Sequence, residues 1–341
     1  MRDHIVVTGA AGFIGSSLTD RLLAEGRTVV GIDSFEDYYP RAQKEANLAG
    51  ALANPAFTLV EEDLLDANLP SLVSGAACVY HLAAQAGVRA SWGDSFGVYV
   101  RNNVWATQKV LEACLKCGSP PVVYASSSSV YGDQDELPLH EDMMPKPRSP
   151  YGVTKLAGEH LCLLYTANHG LRTVSLRFFT VYGPRQRPDM AFHKFIRAML
   201  EDRPIVLYGD GAQTRDFTYI DDIVEGLVRA PQALAGSVMN IGGGSRVSLS
   251  QSISSLCAVM NREARIERRP VQAGDVRDTL ADVTRLAAAT AYSPCTQLSA
   301  GLAEEYRWLR QLDSYSGAQA GRETLSEVPD PRPEAPSSAL P

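Results

Sequence analysis

Near the start of the chain three apolar residues, Ile5-Val6-Val7, run directly into Thr8-Gly9-Ala10-Ala11-Gly12-Phe13-Ile14-Gly15. A helical pattern follows to about Glu25 and stops at Gly26, the residue type best suited to end a helix. Strand, glycine turn and helix in that order commit the chain to a βα unit. Glycines at 9, 12 and 15 say what the turn must admit: a tight bend, a pyrophosphate close to the backbone, and a helix seated hard against the sheet. The free N–H groups at the helix start, around Phe13 and Ile14, face those phosphates. The spacing is GxxGxxG, not the GxGxxG of the older dehydrogenases.

The same alternation continues. Thr28–Ile32 reads as a second strand, Thr58–Glu61 as a third and Cys78–Leu82 as a fourth. Val122–Ala125 and Thr173–Phe178 follow, with helical patterns between them. Strands that alternate with helices mean right-handed crossovers and a parallel sheet. The expected fold is therefore α/β, a Rossmann-type doubly wound parallel sheet, and the 341 residues leave room for a smaller C-terminal lobe. Asp33 closes the second strand, about 20 residues after the first glycine, where an acid accepts the adenosine ribose hydroxyls and disfavours a ribose phosphate. The cofactor is expected to be NAD and not NADP. Ala83 and Ala84 are small enough for their loop to lie against it. Asp63, Leu64 and Asn102 complete the expected contacts, with Asn102 and Asn103 opening the helix that runs to about Cys117.

Tyr151 and Lys155 stand four apart, one helical turn on one face. A phenol deprotonates near pH 10, and bringing it near 7 takes about 4 kcal/mol. One ammonium about 4 Å away is worth roughly that much at an effective dielectric of about 20. The spacing by itself is common on helix surfaces. Its weight comes from Val122–Ala125, a buried strand whose carboxyl end carries Ser126-Ser127-Ser128-Ser129, because ligands bind at that end of a parallel sheet. Tyr151, Lys155 and a serine hydroxyl can together take a proton from a sugar hydroxyl while its carbon gives up hydride.

A net charge of -7 with no Lys/Arg cluster argues against a nucleic-acid partner. No apolar run approaches the roughly 20 residues of a membrane span, and a strand pattern from Ile5 leaves no place for a signal peptide, so the cytoplasm is the expected compartment. The six cysteines are scattered, and the pair Cys114/Cys117 lies near a helix end before Gly118, unlike a redox or zinc site. The histidines show no metal-ligand spacing, so no metal is expected. After about Leu312 the composition turns to Ser, Gly, Pro and Glu, and residues 313–341 read as a disordered tail.

Thr8–Gly15, Ala83-Ala84, the serines before Val130-Tyr131-Gly132, Tyr151/Lys155 and Arg177-Phe178-Phe179-Thr180-Val181-Tyr182-Gly183-Pro184 resemble the extended short-chain dehydrogenase/reductases. These are nucleotide-sugar epimerases, dehydratases and decarboxylases. The resemblance covers roughly residues 4–310. It implies an NAD-binding unit of residues 1–180 with part of 215–245, and a nucleotide-sugar lobe within 181–312. It gives Ser127 the role of assisting Tyr151. Leu207–Gly211, Arg215–Asp222 and Gly274–Val276 are similar to the family's nucleotide-binding segments, which would place Arg215, and as a second arginine Arg277, on a diphosphate. Asn240–Gly244 is read as a turn after a strand. The paired helices near 102–117 and 151–168 resemble the family's dimer bundle, which implies a homodimer.

Dehydratases of this family carry Thr-Asp-Glu before Val-Tyr-Gly, and decarboxylases typically keep the Glu. Here Ser127, Ser128 and Ser129 leave neutral alcohols at both acidic positions, which speaks for 4-epimerisation. Gln85–Arg89, Phe179–Pro184, Arg187–Met190 and Phe217–Gly226 look most like the UDP-glucuronate 4-epimerases. UDP-galactose epimerases typically carry Asn in place of Thr180 and Arg near Gln272. The resemblance thus points to a UDP-uronate, with Gly87, Val88, Arg89, Ser128, Ser129, Thr180, Arg187 and Met190 as substrate contacts. A 4-keto uronate is a β-keto acid that loses carbon dioxide if its carboxylate bond aligns with the carbonyl π system. Ser128, Ser129, Thr180 and Arg187 are donors suited to prevent that, worth roughly 1.5–3 kcal/mol per charged hydrogen bond. Three alternatives stay open: a neutral UDP- or TDP-hexose epimerase, a UDP-glucuronate decarboxylase, and an NAD-binding regulatory protein without turnover.

Overall fold

The computed structural model describes residues 4–272 and 274–326. Its strands in chain order are β1 (His4–Thr8), β2 (Thr28–Ile32), β3 (Phe57–Val60), β4 (Ala76–His81), β5 (Val122–Ser127) and β6 (Thr173–Phe178). They continue with β7 (Thr180–Tyr182), β8 (Ile205–Tyr208), β9 (Thr214–Tyr219), β10 (Ser237–Ile241), β11 (Arg246–Ser248) and β12 (Ile266–Arg269). One seven-stranded sheet has the order β10-β6-β5-β4-β1-β2-β3. Every pairing in it is parallel. The order reverses between β1 and β4, which opens a crevice at the carboxyl ends of those strands.

Both faces of this sheet are covered, and the strand sequences show why. In β1, Ile5 and Val7 join one apolar core while Val6 joins another; in β5, Val123 and Ala125 go to the first and Val122 and Tyr124 to the second. Alternate residues of a strand point to opposite faces, so two cores require strands apolar at nearly every position. All six residues of β5 and of β6 are buried.

The helix Pro150–His169 carries Tyr151 and Lys155, and its ends are set by local chemistry. Ser149 accepts a hydrogen bond from Gly152 N at 3.1 Å, Pro150 occupies the first turn, and Gly170 ends the helix at φ 67. Its seating on β5 depends on Gly158, where a Cβ would lie 2.1 Å from the Tyr124 hydroxyl.

After β6 the chain builds two small sheets, β11-β9-β7 and β12-β8. Asp216 in β9 accepts from Gly243 N (2.7 Å), Gly244 N (3.2 Å) and Ala281 N (3.0 Å). The glycines after β10 are thus a clamped turn, as the sequence indicated.

Two expectations differ. The helical run that ends at Lys116 begins at Phe96 and is π-helical over Val100–Trp105, so Asn102 and Asn103 lie inside it and do not open it. Exposed Phe96, Val98 and Val100 hide the usual apolar period there. The last helix spans Leu298–Ser326, so regular structure continues past residue 312, where composition suggested a disordered tail. Residues 327–341 lie outside the described residues.

Candidate active site

The carboxyl ends of β1, β2, β4 and β5 open on a cleft of about 1190 Å³, its solvent-open part included. Every residue expected to touch the cofactor, from Gly9 through Asp33, Asp63, Leu64, Ala83, Ala84 and Asn102 to Lys155, lines it. Gly9 sits at φ 70, and a Cβ there would fall 2.8 Å from Ala83 N; one on Gly15 would fall 2.0 Å from Gly9 O. The first glycine makes the turn and the third lets the helix close on it. Gly12 is the N-cap of helix Phe13–Ala24, and no side chain caps that end. The first N–H groups therefore face the cleft, as a pyrophosphate requires. Asp33 is anchored by Ala11 N (3.0 Å) and Phe35 N (2.9 Å), and burial pushes its carboxyl above the usual range. An uncapped helix start, a glycine cradle and an anchored acid one strand over are the donor and acceptor set that NAD needs.

Ser127 ends β5, and its Oγ accepts from Ser129 N at 3.1 Å. A hydrogen bond with Ser127 favours the ionised form of Tyr151, but burial outweighs it and the phenol stays above its usual value. This corrects the simple electrostatic expectation. Lys155 Nζ lies 6.0 Å from the Tyr151 ring centroid and donates to Ala125 O at 2.8 Å. Burial brings the lysine itself down to about 7. Desolvation acts on both groups and exceeds what their hydrogen bonds and neighbouring charges supply. The cation whose charge lowers the phenol is Arg187.

A buried polar chain holds this helix in register with the cofactor loop. Ala83 N donates to Thr8 Oγ1 (3.2 Å), and Thr8 Oγ1 is 2.8 Å from His81 Nδ1. His81 Nε2 is 3.0 Å from Thr107 Oγ1, which donates to Asn103 O at 2.7 Å. Thr107 spends its proton on Asn103, so it accepts from His81, and the proton of the neutral ring sits on Nε2. Burial holds the imidazole down to about 3. Asn103 then donates to Thr154 (2.9 Å), which donates to the Tyr151 carbonyl (2.8 Å).

The expected substrate contacts fall into two groups. Ser128 and Ser129 leave β5 where Phe179 and Thr180 follow the neighbouring β6, since Ser127 pairs with Phe178. Arg187 lines the cleft with Tyr151. The second group gathers around Tyr208 and Asp275. Arg89 pairs with Asp275 at 2.7 Å and stacks over Tyr208 at 4.3 Å, while Val88 packs under Gly274. Arg215 shares this neighbourhood, and burial lowers its proton affinity. Gly87, at φ 105, offers its carbonyl to the Tyr99 hydroxyl at 2.9 Å. Two expected contacts remain. Met190 packs against the apolar core. Arg277 has a side chain 72% exposed and 3.9 Å from Asp210; its carbonyl accepts from Arg215.

Residues 5–242 match the NAD dependent epimerase/dehydratase family. The chain belongs to that family. Among curated relatives, an uncharacterized UDP-glucose epimerase of Bacillus subtilis is 44% identical, covering 90% of this chain and 98% of its own. A UDP-glucuronate 4-epimerase of Thermodesulfobacterium geofontis is 36% identical over 90% of this chain and 96% of its own. Among solved structures, a UDP-glucuronic acid 4-epimerase of Bacillus cereus, in complex with UDP-glucuronic acid and NAD, is 46% identical with a TM-score of 0.88. That match covers 91% of this chain and 99% of the other.

Sequence reasoning missed several cleft residues of this epimerase-family chain. Tyr38, Tyr39 and Lys44 line the cleft from the segment after β2. Asp189 holds Arg187 at 2.9 and 3.0 Å. The run Asp37-Tyr38-Tyr39-Pro40, so soon after Asp33, was the available signal for the first two. Nothing local marked Asn103 or His81.

Proposed function

We propose that this protein interconverts UDP-glucuronate and UDP-galacturonate by NAD-dependent epimerisation at C4. The observation that carries the uronate reading is Arg187, a largely buried guanidinium in the same cleft as Tyr151. A cation there calls for an anionic group on the sugar, and the absence of an acid from the serine turn removes the partner that dehydration needs. When bound, NAD takes the C4 hydride and returns it. Ser127 and Arg187 favour the ionised form of Tyr151 against its burial; in that form it takes the C4 hydroxyl proton, Ser127 shares it through its hydrogen bond, and the same pair returns it once the 4-keto sugar has turned its other face. Ser128, Ser129, Thr180 and Arg187 hold the carboxylate, and Arg89 and Arg215 hold the diphosphate.

We assign residues 1–180 with part of 215–245 to cofactor binding and 181–312 to the nucleotide sugar; β10 joining the main sheet at β6 supports the first part. We read the protein as a homodimer. Trp105 (53% exposed), Leu164 (54%) and Val153 (47%) leave an apolar face on the two helical runs expected to pair. Six unpaired cysteines support a reducing cytoplasm.

A second reading, epimerisation of neutral UDP-glucose, has the Bacillus subtilis relative in its favour. Purified enzyme given UDP-glucuronate or UDP-glucose, with products separated by chromatography, decides between them. Faster conversion of the neutral sugar overturns the uronate reading. Tyr151→Phe should slow either reaction by about 10²–10⁴-fold; unchanged turnover would remove Tyr151 from the mechanism.

A further inference from the structure

We propose that Tyr38 and Asp189 are positioning residues that aim Arg187 at the sugar carboxylate, and thereby decide whether the uronate is epimerised or loses carbon dioxide. The inference rests on the functional reading above. Arg187 donates from Nε to Asp189 Oδ1 (2.9 Å) and from Nη2 to Asp189 Oδ2 (3.0 Å). This two-point grip fixes the plane of the guanidinium, and among the described residues no hydrogen bond engages Nη1, which keeps two donors for a ligand. Asp189 is gripped in turn. The Tyr38 hydroxyl donates to its Oδ2 at 3.2 Å from the segment after β2, across 151 residues of sequence.

Tyr38 and the backbone beside Arg187 are themselves fixed. The Tyr38 hydroxyl lies where a Cβ on Gly87 would be only 2.5 Å away, so the absent side chain makes its seat. Next to Arg187, the buried Gln186 donates to Val181 O (3.1 Å), and its carbonyl accepts from Gln43 (3.2 Å). The backbone is thus set by Gln186, and the direction of the long Arg187 side chain is left to Asp189 and Tyr38. Tyr38 remains a donor, because burial pushes its phenol up; burial also works against the Asp189 anion, but its pair with Arg187 holds it below the usual range.

The consequence is chemical. In the 4-keto uronate the C5–C6 bond breaks if it lies parallel to the carbonyl π system. Carbon dioxide then leaves, the electron pair becomes a C4–C5 enolate, and a proton adds at C5 to give a 4-keto pentose. A guanidinium held in one direction keeps the carboxylate out of that alignment. A guanidinium free to swing does not.

The test measures the product split from UDP-glucuronate for wild type, Tyr38→Phe and Asp189→Asn. Tyr38→Phe keeps the ring and removes one hydrogen bond to the Asp189 carboxylate, so the decarboxylated fraction should rise roughly tenfold. Asp189→Asn removes a charged two-point grip, and the rise should be about tenfold to a hundredfold. A merely structural role would lower the total rate, the melting temperature or UDP binding without moving the split. An unchanged split in both variants, with wild type epimerising normally, overturns this inference alone. Wild type inert toward UDP-glucuronate overturns the functional reading and this inference with it. If Asp189→Asn does not fold, Tyr38→Phe decides.

Discussion

Replacing Lys155 by Met should make the NAD-free protein more stable at pH 6 while removing its activity. Lys155 is 4% exposed, and among the described residues its one hydrogen bond runs from Nζ to Ala125 O at 2.8 Å. Burial brings its pKa from 10.5 to about 7. Between those values the folded chain binds fewer protons than the unfolded chain. Stability from this position therefore rises with pH through the window and is lost as pH falls toward 7. With burial bringing the lysine from 10.5 to about 7, the charged lysine costs about 5 kcal/mol at pH 6. Methionine matches the length and flexibility of the side chain but takes from the Ala125 carbonyl its bond with Lys155, a loss of about 1–3 kcal/mol. The net gain at pH 6 is about 2–4 kcal/mol.

Urea unfolding of both proteins without NAD, at pH 6, 7, 8 and 9, tests this directly. The gap should narrow by about 1.4 kcal/mol per pH unit above roughly 7.5, because the wild type alone gains stability as its lysine is neutralised. Burial raises Tyr151 above 10, so that phenol does not titrate in this range. Epimerase activity should fall at least about a hundredfold in the variant. A gap that stays constant from pH 6 to 9 would refute the claim that desolvation rules this lysine. A buried lysine that destabilises its own fold is then explained by what it does when the site is filled.

Two further outcomes follow from the cofactor side of the site. Gly15→Ala would place a Cβ 2.0 Å from Gly9 O, a backbone atom that cannot yield without moving the glycine turn. The variant should purify without bound or bindable NAD and melt lower, which cofactor titration and a melting curve check. His81, held down to about 3 by burial against an ordinary value of 6.5, binds fewer protons folded than unfolded between those values. Its share of stability is present above 6.5 and lost as pH falls, about 3 kcal/mol by pH 4, and His81→Gln should flatten that part of the acid limb in urea unfolding.

What could be read from the chain divides along physical lines. The cofactor contacts are made by backbone next to a strand end, so Gly9, Gly12, Gly15 and Asp33 are set by local spacing and all line the cleft. The helix of Tyr151 and Lys155 was equally plain, since Ser149, Pro150 and Gly170 mark its ends within their own neighbourhoods. Spacing could not say how two buried charges would balance. That depends on desolvation, which the rest of the fold imposes, and it reversed the expected direction for Tyr151. The π-helical turn escaped notice for a related reason: Asn103 holds its place through Gln85 and Thr154, 18 and 51 residues away. Arg187 was found as a cation in a familiar stretch, whereas its restraint by Tyr38 crosses the cleft. A catalytic group can thus be found from its neighbours in sequence, but its direction and its charge are properties of its neighbours in space. Those are the properties that separate a sugar that keeps its carboxylate from one that loses it.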